Sequence, residues 1–331
     1  MARIPEAVGI VTASMIEIWA MGELLAEVMR PRAGLPLGDV GPFTGPLPSG
    51  APGIFIDTVA RLGRSGGIIS GVGVDEFGQA ILERLERDGV HVELIEVVPD
   101  RPTGVAFIAY ADDGSRSYVF HWDGTAAVAA KVPPPEIAAG ARFFHVMGCS
   151  LMPNAGFAQR IVETAEQFAD AGARISFDPN LRAELSTEQA IAEIVAPILQ
   201  LSSILMPGAT ELLMLGGAGS LDASAATLMR RHDLEMVVVK LGARGCVLYT
   251  DDRRIEVPAF DVVEVDPTGA GDCFDAAFLC ALLDGQPPEE ALRWGAAAGA
   301  LNAAAFGPME GRIDPDSMAR LLQERVPRRV V

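Results

Sequence analysis

From about residue 140 to residue 240 the chain alternates short apolar runs with Ala/Glu/Gln-rich stretches of helical character, and this alternation restricts the folds open to it. The runs are Arg142–Met147, Arg174–Phe177, Ser203–Met206 and Met236–Lys240. Continuous apolar strands separated by helices are what a parallel sheet covered on both faces requires. The expectation is an α/β fold with a doubly wound, mostly parallel sheet. At 331 residues and 50% hydrophobic side chains the chain can bury such a core, which argues against disorder. Beyond Lys240, Asp251-Asp252 separate two short apolar runs and read as a hairpin turn. A helix follows from Asp272, with Phe274, Ala277, Phe278, Ala281 and Leu282 at helical spacing, ended by Asp284-Gly285-Gln286-Pro287-Pro288. A small-residue helix from about Pro288 to Ala305 and a short terminal helix complete this half.

The N-terminal half reads differently. Ile18–Glu27 is a strand candidate, followed by a Pro/Gly-rich stretch, a helix from roughly Pro52 to Leu62 and a strand at Gly67–Val72. Thr103–Tyr110 and Ser115–His121 alternate in polarity around Asp112-Asp113-Gly114, a hairpin signal. A small β-element assembled from about 25–50 and 100–125 therefore grows out of one domain spanning 1–331, and Pro133-Pro134-Pro135 reads as a stiff connector.

Charge narrows the partners. Lys+Arg number 26 against 44 Asp+Glu, a net charge of −18, which is the wrong sign for wrapping nucleic acid or lying on anionic lipid. The start of the chain lacks a signal-peptide core and about 18 uninterrupted apolar residues, so no membrane association is expected. Four cysteines without CxxC or His/Cys metal spacing point to a reducing, cytoplasmic compartment. An acidic chain can still bind anions locally, through backbone amides at helix starts.

The stretch Val265-Asp266-Pro267-Thr268-Gly269-Ala270-Gly271-Asp272-Cys273-Phe274 has that form: three small residues precede a helix, leaving consecutive N–H groups unobstructed at its positive end. Asp272 stands at the mouth, where a carboxylate could take a proton from a hydroxyl attacking a phosphoryl group. The plainer reading is an Asp cap after a Gly turn. No GxxxxGK[ST] sequence occurs, so this is not a P-loop.

Other blocks follow in a recognisable order: Met21–Glu27, Ser49-Gly50-Ala51-Pro52 to Ala60-Arg61-Leu62-Gly63, Gly71–Gly78, Phe177-Asp178-Pro179-Asn180-Leu181-Arg182, and Lys240-Leu241-Gly242-Ala243-Arg244-Gly245. Together with Asp266–Phe274 they resemble the ribokinase, or PfkB-type, carbohydrate kinase family over nearly the whole chain. The resemblance implies a ribokinase-like sheet with a small β-sheet lid that often acts as a dimer clasp. It also implies ATP with Mg²⁺, potassium near the anion-binding loop, and phosphoryl transfer to a sugar hydroxyl. By position it makes Asp272 the base and Gly269, Ala270 and Gly271 the anion hole. It sets Asp266 and Thr268 by the potassium, Lys240, Gly242 and Gly245 by the nucleotide, and Asn302 facing the adenine. Glu27, Gly50, Ala51, Ile54, Phe120, Trp122, Asn180 and Arg182 fall on the sugar side.

The chain departs from the family pattern at Ile54, where an Asn commonly touches the sugar, and at Glu27, where an Asp is usual. Met206-Pro207-Gly208-Ala209-Thr210-Glu211 resembles PNxxE with Gly208 for the Asn, leaving Glu211 alone of a pair associated with Mg²⁺ and phosphate; water would fill the gap. Members acting on 2-keto-3-deoxygluconate present Tyr and Arg on the second lid strand. Those positions read His121-Trp122 here, which argues for a neutral sugar, unless Arg182 meets a carboxylate or the ATP phosphates. The segment 41–57 resembles members that phosphorylate tagatose. The expected substrate is a neutral ketohexose, tagatose or fructose; the alternatives are 2-keto-3-deoxygluconate, a nucleoside or vitamin acceptor, and a non-catalytic sensing module of the same fold. Phe120 and Trp122 offer faces for a sugar ring or belong to the lid's core.

Plainer roles are expected elsewhere. His91 and His232 read as surface residues and His145 as a satisfied core histidine. Cys273, at a helix start, is either a reactive thiol or buried and inert. Glu83–Asp88 reads as a solvated helix face, the basic tail at 325–329 as a frayed end, and the apolar lid strands suggest a homodimer through the lid.

Overall fold

The computed structural model describes residues 16–113, 115–181 and 188–323. In chain order the strands are β1 (Ile18–Met21), β2 (Leu25–Met29), β3 (Thr44–Ser49), β4 (Gly66–Gly73), β5 (Ile95–Val98), β6 (Gly104–Tyr110), β7 (Arg116–His121), β8 (Phe143–Met147), β9 (Arg174–Asp178), β10 (Ser202–Leu205), β11 (Met236–Lys240), β12 (Cys246–Tyr249) and β13 (Arg254–Val257). The helices are α1 (Ala51–Arg61), α2 (Glu76–Asp88), α3 (Ala155–Asp170), α4 (Glu188–Leu201), α5 (Ala209–Gly216), α6 (Leu221–His232), α7 (Ala270–Leu283), α8 (Pro288–Ala303) and α9 (Pro315–Gln323). The main sheet runs β13-β12-β11-β10-β9-β8-β1-β4-β5, parallel except for the antiparallel β12 and β13.

Both faces of this sheet are buried, which is why its strands are apolar throughout. Within β1, Trp19 and Met21 enter one core layer while Ile18 and Ala20 enter the other. Helix α3 covers the first face through Phe157, Ile161 and Phe168; α1 and α7 cover the second through Phe55, Val59, Phe274 and Phe278. Among the described residues no single helix is long and apolar enough to cross a membrane.

β1 pairs with β4 on one side and β8 on the other, so the chain leaves it in opposite directions. Such a switch point leaves a crevice at the carboxyl ends of the flanking strands. The single strand expected over Ile18–Glu27 is broken there. A side chain at Gly22 would begin 2.4 Å from Pro52 and 2.5 Å from Ser150, so the chain turns and β2 joins a second sheet. That smaller sheet has the order β3-β2-β6-β7. Its Pro/Gly-rich excursion is organised by the buried Arg30, whose guanidinium donates to the carbonyls of Pro36 (2.8 Å), Pro42 (3.1 Å) and Asp39.

One further expectation needs correction. The segment Glu83–Asp88 is not simply a solvated face: Arg84 is largely buried, donating to Asp88 (2.6 Å), Glu310 (2.9 Å) and the Met309 carbonyl (2.6 Å). Periodicity marks α2 as amphipathic, but it cannot reveal that a loop 225 residues later crosses its polar side. The basic tail at 325–329 lies outside the described residues.

His145, in the middle of β8, stacks on Phe55 with ring centroids 4.0 Å apart. Its Nδ1 meets the Ser176 hydroxyl at 2.8 Å, while Nε2 is buried without a partner. Burial lowers its pKa from 6.5 to about 3. A histidine depressed in the folded state takes up its proton first in the unfolded chain, so its contribution to stability is present above pH 6.5 and lost as pH falls towards about 3. The expected cost approaches ~1.4 kcal/mol per pH unit in that window. Unfolding free energies measured from pH 7 to 4 should fall less steeply for His145→Gln than for the natural chain.

Candidate active site

Helix α7 begins where Gly269, in the left-handed region (φ 77°), turns the chain. A side chain there would begin 2.3 Å from the Pro308 carbonyl oxygen, so only glycine fits. Ala270 and Gly271 form the first turn and Asp272 follows, buried at the edge of a pocket. Asn180, held at φ 39° just beyond β9, donates its side-chain amide to Asp272 at 3.3 Å.

The pocket occupies the switch-point crevice. Glu23 follows β1 after Gly22, and Cys149 follows β8 after Gly148. Glu23 accepts from the Ser150 hydroxyl at 2.5 Å and from the Cys149 thiol at 3.4 Å. Glu27 accepts from the Ser49 hydroxyl at 2.9 Å. Gly50, Ala51 and Ile54 at the start of α1, with Phe120 and Trp122, line the pocket.

The roof also corrects the reading of the lid. Arg116 and Tyr118 alternate with Phe120 on β7 and face the pocket, so a Tyr/Arg pair is present on this strand. Period-two alternation places His121 on the opposite face, edge-on to Phe107. The pairing of β6 with β7, Ala106 opposite Phe120 and Tyr110 opposite Arg116, fixes this register, which motif position alone did not.

The residues expected around a nucleotide are engaged otherwise. Lys240 donates to Asp178 at 2.8 Å and to the two Asp275 oxygens at 2.8 and 3.1 Å; burial would lower its pKa, but the two carboxylates reverse this and hold it protonated. It is therefore not an open cation for phosphates. Asn302 is fully buried: its amide donates to the carbonyls of Thr268 (2.7 Å) and Pro308 (3.1 Å) and accepts from Gly311 N–H (3.2 Å). It fastens the loop behind α7 and does not face an open adenine site. Glu211 accepts from the N–H groups of Leu181 and Gly208, each at 2.6 Å, tying the turn after β9 to α5. Burial raises its pKa. Gly242 is exposed with open space around it, whereas Gly245 packs tightly against Val257.

Asp266 accepts from Thr268 N–H (3.0 Å), Gly307 N–H (2.9 Å) and the Tyr110 hydroxyl, which also meets the Thr268 hydroxyl. Tyr110 comes from the lid, and burial beside Asp266 raises its pKa. Arg182 lies outside the described residues. Glu23, Arg116, Tyr118 and Tyr110 were not singled out from the sequence. Glu23 had a signal, since it follows a strand end and a glycine, and the three lid residues depend on strand register.

Comparison with known proteins bears on the whole chain. Residues 50–314 match the model of the pfkB family carbohydrate kinases. The chain belongs to the pfkB family of carbohydrate kinases. Fructokinase-1 of Oryza sativa subsp. japonica is 32% identical over 301 residues, covering 87% of this chain and 92% of that protein. Fructokinase-2 of Solanum lycopersicum is 31% identical over 299 residues, 86% of this chain and 89% of its own. Among solved structures, an E. coli protein described as "a putative Ribokinase II in complex with ATP and Mg+2" superposes with TM-score 0.87 at 35% identity, covering 93% of this chain and 99% of its own. Fructokinase from Vibrio cholerae O395 shares the fold at TM-score 0.80 and 23% identity, covering 94% and 100%.

Of the four thiols of this pfkB family kinase, Cys149 lines the pocket, and Cys246, Cys273 and Cys280 lie outside its lining. All four cysteines are buried, and burial pushes Cys273 and Cys280 up to about 12, which decides against a reactive Cys273. The Thr58 hydroxyl donates to the Cys273 sulfur at 3.2 Å. A thiol-titrating disulfide reagent at neutral pH should leave Cys273 unmodified in the native protein, as peptide mapping would show, with four thiols titrating after denaturation.

Proposed function

We propose that this chain transfers the γ-phosphoryl group of ATP to a hydroxyl of a neutral, fructose-type ketohexose. The observation that carries the reading is the position of Asp272, in the first turn of α7, across a buried pocket from the hydroxyl-bonded carboxylates Glu23 and Glu27. A polyol supplies donors for such carboxylates, whereas a sugar acid brings a like charge against them. The plant fructokinases, about a third identical over most of the chain, favour fructose over tagatose.

In this reading Asp272 accepts the proton of the attacking hydroxyl, and the Asn180 amide keeps the carboxylate aimed at it. The first-turn amides of α7, with the helix dipole, receive the transferred phosphoryl oxygens. The Ala270 N–H now rests on the Pro267 carbonyl at 3.3 Å, a long bond that a phosphoryl oxygen can displace. Gly50, Ala51, Ile54, Phe120 and Trp122 shape the sugar side. Gly242 and Gly245 stay proposed for the nucleotide side, and the lid for a dimer contact.

The residues fit the implied ions in different ways. Asp266 and Thr268 bring hard oxygen donors together, the chemistry a potassium ion takes, and would hold it behind the anion loop. No group of three or more metal-ligating side chains occurs among the described residues, so Mg²⁺ would arrive chiefly on the nucleotide phosphates, neutralising their charge.

One observation favours a second reading: Arg116, beside Tyr118 at 3.2 Å, could pair with the carboxylate of 2-keto-3-deoxygluconate. ADP release with MgATP and K⁺ over fructose, tagatose, ribose and 2-keto-3-deoxygluconate should show the largest kcat/KM for fructose. Turnover confined to the acid and lost in Arg116→Leu would establish the second reading, and silence across the panel would favour a sensing module. Asp272→Asn should lower kcat by roughly 10²- to 10⁴-fold, while still gaining thermal stability from MgATP.

A further inference from the structure

Three elements and the turn after β9 meet in a closed ring of contacts that reaches the pocket at Asp272. The ammonium of Lys240, at the end of β11, donates to Asp178 at the end of β9 (2.8 Å) and to Asp275 on α7 (2.8 and 3.1 Å). The other Asp178 oxygen accepts the backbone N–H of Asn180 at 3.1 Å. The Asn180 side chain then reaches Asp272, one helical turn before Asp275, and α7 closes the ring. The ammonium lies under the first turn of α7, 3.8 Å from where a side chain on Gly271 would begin.

We propose that Lys240 is a positioning residue for phosphoryl transfer, acting with Asp178 and Asp275 to set the Asn180 amide against the Asp272 carboxylate. The inference rests on the reading of Asp272 as the base. Both ends of the Asn180–Asp272 contact are referred to one buried ammonium, one through the turn after β9 and the other through α7. The Asn180 end is not held there by apolar packing alone, because Asn180 sits in a left-handed conformation that few non-glycine residues adopt. Stability is a poor explanation for the ionic trio. Removing three charges from water costs much of what their attraction returns, and apolar residues of similar volume often serve a core as well. What an ionic trio adds is direction, since short charged hydrogen bonds tolerate little displacement.

A single substitution of Lys240 would strand two buried carboxylates and risk unfolding. The test therefore uses Lys240→Met/Asp275→Leu, which removes one charge of each sign, and Asp275→Asn, which keeps the shape, beside Asp272→Asn as reference. With fructose and MgATP, the double variant should stay folded and lose roughly 10- to 100-fold in kcat with both KM values within about threefold. Asp275→Asn should fall between it and the natural protein. In the crystal structure of the double variant, Asn180 should lie beyond hydrogen-bond reach of Asp272. A folded double variant with kcat within about twofold of the natural protein overturns the proposal, as does a raised KM for ATP at unchanged kcat, which would make Lys240 a nucleotide contact. If the double variant does not fold, Asp275→Asn decides by the same criteria. If Asp272→Asn keeps full turnover, the reading of the base fails, and the Asn180–Asp272 separation in the crystal structure still decides the positioning.

Discussion

The place of β1 in the main sheet governs how the site is built. Because its neighbours are β4 and β8, the chain runs outward from it in both directions, and the carboxyl ends of β1 and β8 flank the crevice beneath the small sheet. The ends themselves are packed too closely for side chains. A Cβ at Gly22 would strike Pro52 and Ser150, and one at Gly148 would begin 2.0 Å from the Pro179 carbonyl oxygen. The next residues, Glu23 and Cys149, are thereby delivered to the floor of the crevice. β2 leaves β1 after three residues, so the small sheet hangs from the same point it roofs.

An acidic chain can bury carboxylates in such a crevice only if each is supplied with donors. Glu27 has the Ser49 hydroxyl and Glu23 has Ser150 and Cys149; Asp266 has two backbone N–H groups and the Tyr110 hydroxyl; Glu211 has two backbone N–H groups. The donors are mostly backbone amides and hydroxyls, because lysines and arginines are scarce here and Lys240 is committed to Asp178 and Asp275. In the proposed reading, anion recognition then falls to the start of α7, where three small residues leave the helix terminus open. The net charge of −18 and the binding of a polyanion are reconciled by that geometry.

Much of this was legible in the sequence because the signals were local. Apolar runs with helical spacers gave the parallel sheet, and the Gly269–Asp272 turn announced the helix start and its carboxylate. What the sequence did not show is how distant partners engage particular side chains. Lys240 looks like an open cation next to a glycine turn, but β9 and α7 bring two carboxylates to it. Asn302 sits on a small-residue helix and seems free to face a ligand, yet the loop at 307–311 folds back and consumes its amide. The lid arginine was missed because counting along a motif does not fix strand register, and a one-residue slip exchanges the two faces of β7.

That same loop shows how far from the reacting groups their precision originates. Gly307 N–H holds Asp266, the Pro308 carbonyl sits against Gly269 and Asn302, and the carbonyls of Met309 and Gly311 accept from Arg61 and Arg84. Between the two guanidinium groups lies Asp57, which burial pushes up to about 7 against their pull, with one oxygen lacking any partner. A buried, incompletely satisfied carboxylate is costly, and its retention is understandable if what it holds is direction. Through Arg61 and Arg84 it fixes the loop, the loop fixes the left-handed turn at Gly269, and that turn sets where Asp272 enters the pocket. Groups outside the pocket lining thus bear on the geometry of Asp272, the carboxylate proposed as the base.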